Sequence, residues 1–182
     1  MGGEKNNKFW LVDPIDGTLP FVRGIPVCTT MVALIENGEV TFSAIYNFVT
    51  DTLFLAEKGK GAWENDTRIH VSDRSLYSAI IKFETIRESD TYDGFKKRLY
   101  TKAIPFDTIV AGYEFCLVAS GKIDGRISLN PYGKDYDFAP GSLLVSEAGG
   151  IVKNIGSDTY DYRNTDLIAT NEKIYQEILA LL

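Results

Sequence analysis

The sequence predicts an α+β protein built in layers: one domain over residues 1–182, with an antiparallel sheet over 1–75 and a mixed α/β lobe over 76–182. Three observations predict it. Short β-rich runs follow one another in the first lobe, and two of them are joined by Asn37-Gly38. That dipeptide is a strong hairpin signal, because both turn positions require positive φ. In the second lobe, strand-like runs interleave with longer apolar or amphipathic stretches closed by Gly121 and by Gly149-Gly150, as helices are. No repeat, low-complexity stretch or linker interrupts the chain, and 45% hydrophobic with 24% charged residues is the balance of a globular domain.

In chain order, residues 9–12 read as a buried-type strand that stops at Asp13-Pro14, since proline donates no N–H. Asp16-Gly17-Thr18 is placed to open a helix. Residues 29–36 and 40–46 form the Asn-Gly hairpin, and 53–57 adds a third strand. Gly59-Lys60-Gly61 turns into 62–65, and the segment 67–71 alternates like a strand. Beyond it come a strand at 78–83, a charged amphipathic helix at 90–100 and a strand at 104–108. A short apolar helix at 112–120, an alternating strand at 123–129, a helix at 137–148 and a strand at 167–169 follow. Asn171 caps a last helix running to 182.

Composition narrows the function classes. The net charge of −6, from 25 acidic and 19 basic residues, argues against a general nucleic-acid binder. It suits a phosphate ligand where a bound divalent cation reverses the local field. The longest apolar runs, such as 31–35, fall far short of a membrane span, and residues 1–8 lack the apolar core of a signal peptide, so the expectation is a cytoplasmic protein with no membrane partner. Cys28 and Cys116 each sit in an apolar run and read as buried thiols rather than a disulfide. His70 is the only histidine, which excludes histidine-rich metal sites and leaves carboxylates to carry any chemistry.

Those carboxylates have an evident focus. In Asp13-Pro14-Ile15-Asp16-Gly17-Thr18, two acids at a strand end run into a helix start. Carboxylate oxygens suit a hard cation, and helix-start N–H groups suit phosphate oxygens. An Asp-Pro turn with an ordinary helix cap is the alternative for these six residues alone. The spacing of three, with proline in the gap, does not fit the Asp-x-Asp-x-Thr pattern of haloacid dehalogenase-type phosphatases, which disfavours a phospho-aspartate mechanism.

The longer string Trp10-Leu11-Val12-Asp13-Pro14-Ile15-Asp16-Gly17-Thr18, followed by Phe21-Val22, resembles the first signature of the inositol monophosphatase family. Tyr136-Asp137-Phe138-Ala139-Pro140-Gly141 with Ser146-Glu147-Ala148-Gly149-Gly150 resembles the second. Gly59-Lys60-Gly61-Ala62 and Cys116-Leu117-Val118-Ala119-Ser120-Gly121 match family segments between them, so the resemblance covers nearly the whole chain. It implies an αβαβα sandwich of the sugar-phosphatase type and magnesium-dependent hydrolysis of a small phosphorylated metabolite by metal-activated water. It also implies a possible homodimer. Asp13, Asp16, Asp137 and the Ile15 carbonyl would hold Mg2+. Gly17 and Thr18 would bind phosphate beside Asp16 and Asp137, with the Thr18 hydroxyl orienting the attacking water. A substrate-hydroxyl position would fall near Asn130.

Departures from the family pattern shape further expectations. The helical layer and Gly-Glu-Glu loop that precede the first signature in the family would lie before residue 1, with Gly2-Gly3-Glu4 at most the tail of that loop. The chain is therefore expected to be truncated and its turnover impaired, or to be a non-catalytic remnant that binds a cation or a partner protein. Pro20 and Tyr136 stand where the family has Asn and Trp, and Ile109-Val110-Ala111-Gly112 replaces a Gly-Ser/Thr-Ala-Ala segment. Specificity for inositol phosphate is thus in question, beside histidinol phosphate, fructose bisphosphate or a 3′-phosphonucleotide.

Overall fold

A computed structural model describes residues 7–86 and 90–182. The first lobe folds as a six-stranded antiparallel meander of β1 (Lys8–Asp16), β2 (Thr29–Glu36), β3 (Glu39–Asn47), β4 (Thr52–Glu57), β5 (Gly61–Glu64) and β6 (Thr67–Arg68), in that spatial order. A short helix, α1 (Thr18–Val22), follows β1. Asn37 and Gly38 both have positive φ, 53° and 85°, so the β2–β3 hairpin forms where the dipeptide places it.

Two strand expectations need correction. Pro14 does not end β1, which runs on to Asp16 across an irregular register between Asp13 and Asp16. Pro14 falls in that irregular stretch, where the pairing with β2 lapses and a missing N–H breaks no ladder bond. The strand expected at 67–71 shrinks to the two residues of β6. Ile69 N–H still reaches the Ala62 carbonyl (3.0 Å), but Val71 N–H turns to Ala148 (3.1 Å), because the chain leaves the sheet here to reach the end of a helix.

The second lobe contains β7 (Ile80–Glu84), α2 (Asp90–Tyr100), β8 (Ile104–Phe106), α3 (Ala111–Ala119), β9 (Gly125–Ser128), α4 (Asp135–Glu147), β10 (Ile151–Asn154), β11 (Leu167–Thr170) and α5 (Glu172–Leu179). Its sheet has the order β10-β11-β9-β7-β8, parallel across β9-β7-β8 and antiparallel across β10-β11-β9. The strand β10 has no counterpart in the sequence reading: four residues at a sheet edge carry too little periodicity to stand out. Helix α4 begins two residues earlier than expected, which moves Asp137 from the cap to the third helical position. Asn171 caps α5 as expected, its side chain accepting the Ile174 N–H at 2.8 Å.

The layers follow from which faces are apolar. Met31, Ala33, Ile35, Ile45 and Phe54 of the first sheet pack on α3 and α4 through Phe115, Val118, Phe138, Leu144 and Val145. The same helices rest on the second sheet through Leu167 and Ala169. Its far face packs Ile81, Phe83, Ile127 and Ile168 against α2 and α5. The order is therefore sheet, helices, sheet, helices, an α+β sandwich as the sequence predicts. On the opposite face of the first sheet, a cross-strand row of Val12, Val32, Ala44, Leu55 and Trp63 lies partly in solvent. Both cysteines are free and buried, as expected. No helix among the described residues is long and apolar enough to cross a membrane.

Candidate metal and phosphate site

Three sequence-predicted acids converge. Asp13 and Asp16 from the end of β1 meet Asp137 from the first turn of α4, with one carboxylate oxygen of each within 4.8 Å of the others. The local fold fixes each of them. Asp13 folds back to accept the Ile15 N–H at 3.0 Å. Asp16 is nearly buried, and its Oδ2 accepts the Thr29 hydroxyl at 3.0 Å and the Gly112 N–H at 2.7 Å. Asp137 accepts the Lys134 N–H at 2.6 Å, an α4 N-terminal contact.

Gly17 supplies the turn between Asp16 and α1, with φ 83° and so little room that a Cβ would meet Val110 Cγ2 at 2.7 Å. The Thr18 hydroxyl donates to the Ile15 carbonyl at 3.0 Å. Gathering these acids is unfavourable by itself. Burial raises the pKa of Asp13, with Asp16 adding to the rise and the Asp137 side chain and Ile15 N–H opposing it. Burial also raises Asp16 against its bonds from Gly112 and Thr29. Asp137 is pushed up to about 6, by burial first and then by Asp13 and Glu84, with the Lys134 N–H opposing. A group of hard oxygen donors whose charges repel in a half-buried setting is the donor set a divalent cation satisfies.

Asp16 and Asp137 line a cavity of about 570 Å³ together with Lys82, Glu84, Asp107, Ile109, Glu114, Arg126 and Tyr132. The sequence reading missed most of this wall. Arg126 of β9 is fully buried and ion-paired to both Glu84 and Glu114. Glu114 also accepts the N–H and hydroxyl of Thr108, each at 3.0 Å, and lies 3.6 Å from Lys82, which pairs with Asp107. Burial lowers the Arg126 pKa, while Glu84, Asp16 and Asp137 hold it up. A signal was present: Lys82 and Arg126 stand inside short apolar strands, where an unpaired charge is too costly to bury. Ile109, a β-branched residue at φ 57°, lies on the cavity wall in a backbone region such residues avoid.

Asn130 is not brought to this site. Its N–H donates to Asp166, its carbonyl accepts from Ile86 at 3.1 Å, and it does not line the cavity. Glu84 lines that side instead, accepting the Tyr132 N–H at 3.1 Å. His70 is exposed and outside the cavity. Gly2-Gly3-Glu4 lies outside the described residues.

A family model described as the inositol monophosphatase family matches residues 2–182. An inositol-1-monophosphatase of Mesorhizobium japonicum is 33% identical over 187 residues, covering 97% of this chain and 68% of the relative. A protein of Neisseria meningitidis serogroup B named putative Nus factor SuhB is 32% identical over 179 residues, covering 95% of this chain and 68% of that one. Among solved structures, the extragenic suppressor protein suhB of Bartonella henselae superposes with a TM-score of 0.88 at 32% identity, over 99% of this chain and 70% of that one.

Proposed function

The chain belongs to the inositol monophosphatase family, and on that premise we propose that it hydrolyses a small phosphate monoester at the Asp13–Asp16–Asp137 cluster with Mg2+ as cofactor. The convergence of those three carboxylates within 4.8 Å is the observation that carries the reading. They fit the cation by chemistry, being oxygen donors whose mutual repulsion it relieves. The Ile15 carbonyl keeps a lone pair for it while accepting the Thr18 hydroxyl. When bound, magnesium draws charge from phosphate oxygens and makes water a usable nucleophile at neutral pH.

The chain's own residues supply orientation. Thr18, fixed as a donor to Ile15, is left with an acceptor oxygen, so it can take a hydrogen bond from the attacking water and aim it. Gly17 and Thr18 open α1, where the first N–H groups have no partner within the helix and suit phosphate oxygens. Asp16, tied to Gly112 and Thr29, keeps its shape while ligands exchange. The cavity beyond, walled by Glu84, Asp107 and Tyr132, receives the leaving group.

The test is phosphate release by the purified chain from a panel of inositol, histidinol, sugar and nucleotide phosphates, with and without Mg2+. Metal-dependent turnover abolished by Asp13→Asn supports the reading; turnover that survives chelation overturns it. A second reading, beside relatives named Nus factor SuhB, is binding of a cation or a partner protein through the same fold without turnover. It predicts saturable Mg2+ binding with no phosphate released from any member of the panel.

A further inference from the structure

We infer that Arg126 is a positioning residue for the cation site: it clamps the first turns of α3 and α4 and so sets the distance between Asp16 and Asp137. The inference rests on the cation-site reading above. Its guanidinium carbon packs on two aromatic rings, 5.3 Å from the Phe115 centroid on α3 and 5.1 Å from the Phe138 centroid on α4. Those rings meet edge to face at 6.1 Å. One end of the guanidinium is ion-paired to Glu114 of α3 and the other to Glu84 of β7.

The two helices so held are the two that shape the site. Gly112, in the first turn of α3, donates to Asp16, and Asp137 immediately precedes Phe138 in the first turn of α4. Arg126 therefore touches both helices and lines the same cavity as Asp16 and Asp137 without being a hydrogen-bond partner of either carboxylate. Both ends of the guanidinium are committed to glutamates, which holds it in place against the two rings. A planar fork that packs on both rings while bridging two glutamates holds the rings and the ion pairs in one arrangement, which a flexible ammonium does not. Arginine here has a geometric function that lysine cannot reproduce.

Titration calorimetry of the full chain with MgCl2 tests this. Arg126→Lys retains a cation for Glu84 and Glu114 and removes the planar fork. Its Mg2+ affinity is expected to fall about ten- to hundredfold, the usual loss when an outer-shell support is removed. Phe138→Leu keeps both ion pairs and removes one ring, and the same fall is expected, with near-ultraviolet circular dichroism confirming a folded protein. In turnover assays both variants should need more Mg2+ for half-activation, a change that a role in stability alone does not produce. Wild-type Mg2+ affinity in either folded variant overturns the inference while leaving the cation site intact. Absence of saturable binding in the unmodified chain overturns the site reading and this inference with it. The exposed pair partner Arg163, changed to Lys, is the control expected to bind normally.

Discussion

Gly112→Ala separates packing from chemistry at the point where α3 touches the site. A Cβ at Gly112 would lie 2.2 Å from Met31 Sδ, 2.6 Å from Thr29 Oγ1 and 3.0 Å from Asp16 Oδ2. Comfortable non-bonded contacts need about 3.5–4.0 Å, so Met31 must give way by more than an ångström. Met31 is fully buried and has nowhere open to move, although its thioether chain can change rotamer. Overpacking of this kind costs about 1–3 kcal/mol, offset by up to about 1 kcal/mol for alanine over glycine in a helix. With the offset taken in full, the net runs from near zero to about 2 kcal/mol, a fall in Tm of up to roughly 8 °C for a chain of this size. The same Cβ presses on Thr29 and Asp16, so Mg2+ affinity should fall as well. Gly150→Ala is the matched comparison, because its Cβ would meet Val145 Cγ1 at 2.7 Å and the Thr170 carbonyl at 2.9 Å, remote from the acids. Calorimetric scanning should show both variants less stable, with metal binding impaired only in Gly112→Ala. Equal metal affinity in the two variants refutes the claim that α3 sets the position of Asp16.

Other outcomes follow from the same geometry. Asp13→Asn should abolish measurable Mg2+ binding yet leave the metal-free protein at least as stable as wild type by thermal melting, since it removes one of three mutually repelling charges. The Asp137 carboxyl, held at about 6 in the fold, binds its proton more tightly there than in the unfolded chain. Its contribution to metal-free stability is therefore present at low pH and lost as pH rises from about 4 through about 6, which melting curves across that range will register. Added Mg2+ competes with the same proton, so its stabilising effect should be larger at pH 7 than at pH 5. Glu147→Ala removes a carboxylate that accepts the N–H groups of Gly59 and Gly61, each at 2.8 Å, and should cost about 1.5–3 kcal/mol in urea denaturation. Glu147→Gln should recover part of that loss, because one amide oxygen remains to accept.

The acids were legible in the sequence because each stands in a compact string whose chemistry is local: Asp13 and Asp16 beside Pro14 and Gly17, and Asp137 before Phe138. The hairpin at Asn37-Gly38 was legible for the same reason, since a turn depends on its own two residues. The second wall of the cavity was not. Lys82, Glu84, Glu114 and Arg126 come from two strands and a helix, and their pairing depends on β7 and β9 lying side by side, a neighbourhood no window of sequence encodes. Alternation in 123–129 identified a strand, yet could not tell that Arg126 faces rings instead of solvent. Pro14 misled for a related reason: its effect on a strand depends on whether it falls in the paired ladder or in a bulge.

The hydrogen bond from Gly112 to Asp16 joins residues 96 positions apart, and Glu147 reaches back 88 positions to Gly59. Such closures come late in folding, because each long loop must be ordered before its contact forms. Asp13 and Asp16 are therefore close to each other from the start, while Asp137 joins them only when the first sheet has packed against α4. A cation that needs all three carboxylates can select the finished fold but cannot help to build it. Its kinetic signature is slower unfolding at an unchanged folding rate, with stabilisation that grows with the logarithm of its concentration.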